Sequence, residues 1–334
     1  MSTSRLNVFI ACSRVEATMR RTLQAGIAGF YCFVSSIALM LSELPQLTRT
    51  ASPGPSYASS TLFPARVVTL HAPGAAMLRI PGGRFEMGST LKAIMAAAEL
   101  CQKQAPSQAC RPQLFANEQP LHTVELSAFW LDRTEVTVEA YERCVAQRRC
   151  TQPPYIEGAA RFREATYPVS LITWEEAQNY CRWRGARLPT EAEFERASRG
   201  AKRRRFPWGE LYNSHLANHG RYGVAATDAS DGFEELAPVG SFPNGRTPDG
   251  FLDLAGNVAE WVADRYAPRY AGGSKDPQGP AASAANRDRV ARGGHFRSPP
   301  VWLRGAARDY YEPGERLPYL GFRCARSALS KDQS

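Results

Sequence analysis

A chain of 334 residues, 43% hydrophobic and 22% charged, can bury a full-sized core, which excludes a disordered or fibrous protein and leaves one large domain or two small ones. Its 26 glycines and 24 prolines cut the sequence into short segments, the mark of a loop-rich domain rather than a helical bundle. Three units of the +9 net charge fall in residues 1–42, and the remainder forms no basic face with interleaved aromatics, so no nucleic-acid role is expected.

Residues 22–42, TLQAGIAGFYCFVSSIALMLS, are nearly free of charge and follow Arg20 and Arg21. They read as an export signal or a single membrane anchor, with Met19 a sensible alternative start to Met1. No clear small-residue cleavage site decides between the two. A Pro/Ser/Thr-rich linker, residues 43–66, separates this leader from the domain expected at 67–326, and 327–334 read as a tail. MLRIPGGRFEMGS predicts a strand broken at Gly82 and Gly83, and residues 91–100 a short alanine-rich helix. NEQPLHTVELSAFWLDRTEVT alternates as one or two strands do.

Thr137 can cap a helix through Tyr141 and Cys144. Thr173 with Glu176, and Thr190 with Glu193, spell two capping boxes before apolar faces, predicting helices that end near Gly185 and Gly200. The basic run at 202–205 reads as a solvated loop tip. Beyond FPWG, at 206–209, regular periodicity fades and glycine-punctuated loops are expected through VARGGHF, LRGAAR and GFRCAR. Within them GFLDLAGNVAEW, residues 250–261, brackets Gly256 and Asn257 with Asp253 and Glu260. On these residues alone the turn is either a solvated surface turn or an oxygen-donor site for a hard cation, where two carboxylates converge with exposed carbonyls.

Two of the eight cysteines, Cys12 and Cys32, lie in the leader. The other six suggest disulfides in an exported chain, and no Cys-X-X-Cys or Cys/His cluster proposes zinc. Close spacing pairs Cys101 with Cys110 and Cys144 with Cys150, leaving Cys181 for Cys324, although six cysteines permit fifteen pairings.

The ordered motifs IPGGRFEMGS, EQPLHTVEL, LDRTEVTVEAY, YPVSLITWEEAQNYCRW, RLPTEAEFERASRG, FPWG, DGF, DLAGNVAEW, RGGHF and GFRCAR, over roughly residues 76–326, resemble the formylglycine-generating enzyme, or sulfatase-modifying factor, family. The resemblance implies an α+β, C-type-lectin-like fold, loop-rich and low in secondary structure, holding two structural calcium ions and disulfides. Matched residue by residue, one ion takes the Asp253 and Glu260 side chains with the Gly256 and Val258 carbonyls. The other takes the Asn218 and Asp231 side chains with the His219 and Phe233 carbonyls. Without the resemblance, Asn218 and Asp231 read as ordinary turn caps. Cys181 and Cys324 match a family disulfide, whereas a second family disulfide finds Ser198 at one end and no cysteine near Arg304 and Gly305 at the other.

The family enzyme oxidises a substrate cysteine to formylglycine with oxygen and copper, through two cysteines in the segment after RGG. Here that segment is RGGHFRSPPVWLRGAAR, about three residues shorter than the family's, with Ser298 at the first position and Leu303 or a neighbour at the second. Soft thiolates select Cu(I), so copper is not expected. His295 stands where the family has serine, but the other histidines are scattered, with no 2-His-1-carboxylate pattern, so an iron-dependent sulfoxide synthase, which would carry a separate helical domain, is not expected. The preferred expectation is an exported cell-envelope protein that presents the former catalytic groove, lined by Phe296, Trp302, Tyr310 and Tyr311, to a peptide, glycan or protein ligand. The alternative is an oxidoreductase of the family with an altered metal or catalytic site built on His295, Arg297 and Ser298.

Overall fold

Four threonines open four α-helices: α1 (Leu91–Gln104), α2 (Val138–Ala146), α3 (Trp174–Trp183) and α4 (Glu191–Arg199). Thr90, Thr137, Thr173 and Thr190 each hold extended backbone and accept a hydrogen bond from the main-chain N–H three residues on, satisfying a donor that a helix start leaves open. Glu176 and Glu193 return the bond to the N–H of their threonines, so both expected capping boxes form. The computed structural model describes residues 76–328, apart from 107–108, 156–157, 223–225 and 284–285. The leader, the linker and most of the tail expected from the sequence lie outside the described residues.

Nine short strands complete the described fold: β1 (Met77–Ile80), β2 (Gly83–Met87), β3 (His122–Leu126), β4 (Phe129–Asp132), β5 (Ala259–Arg265), β6 (Arg289–Arg292), β7 (Arg308–Tyr311), β8 (Leu320–Phe322) and β9 (Ala325–Ser327). They form sheets ordered β1-β4-β9, β2-β3 and β7-β6-β5-β8. The expected broken strand is therefore two strands in two sheets, β1 pairing with β4 and β2 with β3. Gly82 makes the crossing possible, since a Cβ there would stand 3.0 Å from the Ala128 nitrogen and 3.0 Å from the Leu126 oxygen. β9 runs to Ser327, one residue into the stretch expected as tail.

The region after residue 209, expected as loops, holds the four-stranded sheet. Periodicity missed it for a physical reason. β5 and β8 are buried on both faces and show no polar alternation. Trp261 of β5 is wholly buried, donates through Nε1 to the Ile172 oxygen, and packs with Ala177, Tyr180 and Cys181 of α3. On the other side Phe194 and Ala197 of α4 join Phe85, Val124, Val262 and Val290. All three expected disulfides are present, Cys101–Cys110, Cys144–Cys150 and Cys181–Cys324, the last tying α3 to the turn between β8 and β9.

Candidate functional site

β5 is entered through the acidic turn, and the turn is built on unusual backbone. Asp253, Gly256 and Asn257 all take left-handed conformations, at φ 54°, 83° and 61°. At Gly256 no side chain fits, because a Cβ would lie 2.0 Å from the Asn218 oxygen. Asn257 stitches this turn to its neighbours: its main-chain N–H donates to the Asn218 oxygen, its side chain exchanges bonds with Ala237, and its oxygen accepts from the Phe296 N–H.

The two acids of the turn are indeed brought together, in the interior. Glu260 is wholly buried, and Arg323 clamps both its oxygens at 2.6 Å while also donating to the Leu252 and Asp253 carbonyls. A third acid joins them that sequence reasoning missed. Glu135 is fully buried, accepts from the Asn257 side chain at 3.1 Å, and leaves Oε2 without a partner. Burial raises all three carboxyl pKa values, and the charges of Asp253 and Glu260 push Glu135 higher still. If all three were ionised their charge would exceed that of the Arg323 guanidinium, and a hard cation drawing on Asp253, Glu260 and nearby carbonyls would offset the excess. The signal for Glu135 was an acid set in LDRTEVT beside the buried Val136.

The second expected set also converges. Asp231 accepts from the N–H groups of His219 and Phe233, at 2.7 and 2.8 Å, the two residues whose carbonyls were expected as ligands. Asn218 spends its amide N–H groups on the Glu235 oxygen and Asn257, which leaves its buried Oδ1 without a partner. An orphaned buried oxygen one residue before His219, whose N–H the Asp231 carboxylate holds, is a donor a cation could take. Among the described residues no three His, Cys, Asp or Glu side chains gather into a ligand set, so either ion would draw on carbonyl oxygens and Asn218 as well.

The altered loop follows β6 and packs on both turns. Ser298 closes a tight turn: its Oγ accepts from the His295 N–H at 3.0 Å, its N–H donates to the His295 oxygen, and its carbonyl accepts from Gly220. Leu303 is wholly buried with Phe206, Ala217 and Ala255. The half-buried His295 ring stacks on Tyr319 at 4.1 Å and accepts from the Arg297 N–H through Nδ1. Burial, reinforced by the Arg297 charge, pushes its pKa down to about 3, so the imidazole is neutral. The four aromatics expected to line one groove occupy separate places instead. Phe296 is buried beside Phe162 and Leu236, Trp302 lies against Phe115, Tyr310 stacks on Tyr266, and Tyr311 meets Trp261 edge-on. Tyr310 and Tyr311 are adjacent on β7 and point to opposite faces of its sheet.

Ser198 and Gly305, at the positions of the second family disulfide, do meet: a Cβ on Gly305 would stand 2.7 Å from the Ser198 oxygen.

The model of the sulfatase-modifying factor enzyme 1-like domain matches residues 64–328. The formylglycine-generating enzyme of Streptomyces coelicolor is 31% identical over 307 residues, 75% of this chain and 89% of that protein. The mouse formylglycine-generating enzyme is 38% identical over 179 residues, and the match spans only 46% of its length. A mouse relative named inactive C-alpha-formylglycine-generating enzyme 2 is 30% identical over 77% of this chain and 88% of its own. Among solved structures, PvdO of Pseudomonas aeruginosa is similar with a TM-score of 0.56 at 27% identity, covering 75% of this chain and 94% of PvdO. Ten motifs in order, a loop-rich α+β fold and a family match across the described domain lead to one conclusion: the chain belongs to the formylglycine-generating enzyme, or sulfatase-modifying factor, family.

Proposed function

We propose that this chain is an exported cell-envelope protein that keeps the family scaffold, does not generate formylglycine, and works as a binding or accessory protein. One observation carries the reading. The loop after β6 uses Ser298 to close a turn and Leu303 to fill the core, and all six cysteines of the described domain are locked in disulfides. No thiolate is then left in the domain to hold Cu(I) or to carry an oxidation. The relative whose name calls it inactive supports the idea that the scaffold outlasts the activity in this family. Three disulfides support export, because such bonds persist in oxidising compartments, and the charge-poor stretch at 22–42 supplies a signal or an anchor.

The surface offered to a peptide, glycan or protein ligand centres on the half-exposed His295, Arg297 and Tyr319 of the altered loop and its neighbour. Two calcium ions would hold the scaffold beneath it. Asp253 and Glu260 with the Gly256 and Val258 carbonyls would serve one, and Asn218 and Asp231 with the His219 and Phe233 carbonyls the other. Their contribution is structural, tying together loops that little regular structure supports.

The test is copper titration of the purified chain, followed by oxygen uptake with a cysteine-bearing sulfatase peptide. Neither stoichiometric Cu(I) binding nor peptide-dependent oxygen uptake is expected. Turnover of the peptide to the aldehyde overturns the proposal in favour of an oxidoreductase with an altered site.

A further inference from the structure

At the end of α2 the chain turns back sharply, with Gln147 donating to the Arg143 oxygen, Arg148 to Val145 and Arg149 to Cys144. The Cys144–Cys150 disulfide closes that turn, and Arg148 holds a left-handed φ of 56° within it. On α3, Asn179, Arg182 and Trp183 stand at spacings of three and four, which places them on one helix face. Between the two elements lies an open depression of about 380 Å³ lined by Arg148, Arg149, Asn179, Arg182 and Trp183.

Neighbouring arginines hold carboxylates: Arg143 binds Glu139, and Arg184 binds the buried Asp132. Arg148, Arg149 and Arg182 form no salt bridge among the described residues, and all three are exposed. Beside them the Trp183 ring is fixed by a bond from its Nε1 to the Gln147 side chain at 3.1 Å. Three guanidinium forks supply more donors than one carboxylate can accept, and their geometry matches tetrahedral oxyanions. A pinned indole face gives a ring something to lie against.

We propose that this depression binds a small ligand carrying two or more phosphate or sulfate groups on a sugar or polyol ring. Guanidiniums of Arg148, Arg149 and Arg182 hold the oxyanions, and the ring packs on Trp183. The ligand can be free in solution or the headgroup of a lipid, and the site is independent of the altered loop.

The experiment is calorimetric titration of the full chain at low salt with inositol hexakisphosphate, together with flotation on phosphatidylcholine vesicles with and without phosphatidylinositol phosphate. Insertion of the N-terminal segment would affect both vesicle types equally, so their difference reads the headgroup. Binding of the soluble probe is expected, weakening as salt rises. The triple substitution Arg148→Ala, Arg149→Ala, Arg182→Ala is expected to weaken it about a hundredfold or more, as loss of several charge-assisted bonds should. All three side chains are exposed, so the variant retains its fold. Headgroup-dependent vesicle binding that the triple variant loses also supports the site and identifies a lipid as its source. Absence of binding to either probe overturns the proposal, as does undiminished binding by the triple variant. An equal loss on Lys202→Ala with Arg203→Ala, in the basic loop tip, overturns it too by showing non-specific attraction.

Discussion

Asp264, near the end of β5, shows what burial does to a single acid. Its carboxylate is 3% exposed and accepts a bond from the Glu191 N–H at 2.8 Å. Burial first, then the nearby charges of Glu191 and Glu193, raise its pKa to about 8, only partly offset by Arg308. An unfolded aspartate titrates near 4, so between about pH 4 and pH 8 the folded chain holds a proton that the unfolded chain has lost. Stability from this group is complete below the unfolded value and is lost as pH rises through the folded one, at about 1.4 kcal/mol per unit. Asp264→Asn keeps the acceptor for Glu191 and removes the titration. Urea unfolding should therefore show the variant gaining on the wild type by up to about 4 kcal/mol between pH 5 and pH 8. An equal difference at both pH values would show that Asp264 ionises freely in the fold. Glu195, whose buried carboxyl is held down by Arg199 and Arg292, titrates in both proteins and cancels from the comparison.

Elements divide by whether their signals are local. The capped helices were legible because a threonine and a glutamate three residues apart both specify and form the cap. β5 and β8 were not, because strands buried on both sides lose the alternation that announces a strand. The acidic turn was legible because Asp253 and Glu260 lie in one segment, whereas Glu135 and Arg323 reach it from distant segments that no spacing rule connects. α4 carries a further consequence at this scale. Its Ser198 faces Gly305 closely enough that Ser198→Cys with Gly305→Cys should oxidise to a disulfide, read by intact mass and by loss of both free thiols. Closing a loop of that length is worth up to about 4.7 kcal/mol in the chain-entropy account. The gain will be smaller here, because the new Cβ at 305 would stand 2.5 Å from Cγ of Arg199, whose guanidinium holds Gly88 and Glu195 and resists moving. Two thiols that remain free under mild oxidant would mean that α4 and the 305 turn are farther apart than this packing requires.

Across the described residues, three small sheets and four short helices leave long stretches of chain fastened by side chains rather than by ladders. The buried acids of the two turns carry that load at a cost, and this is where calcium would act on the fold as a unit. An ion bound only by the folded state stabilises it by about 2.7 kcal/mol at a hundred times its dissociation constant, a shift of roughly 5–11 °C for a domain of this size. Chelation should lower the melting temperature by that order, and added calcium should restore it. Truncating Glu260 is a poor diagnostic, because it strands Arg323 in the core and destabilises the protein with or without an ion. Glu135→Gln discriminates better, since glutamine keeps the acceptor for Asn257 and removes a charge that Asp253 and Glu260 repel. In chelator the variant should melt above the wild type, by the equivalent of about 1 kcal/mol; in calcium the order should reverse, because a negative charge beside the ion is missing. Melting curves that neither chelator nor calcium displaces, in either protein, would leave the acidic turn as a buried Arg323 clamp without a metal.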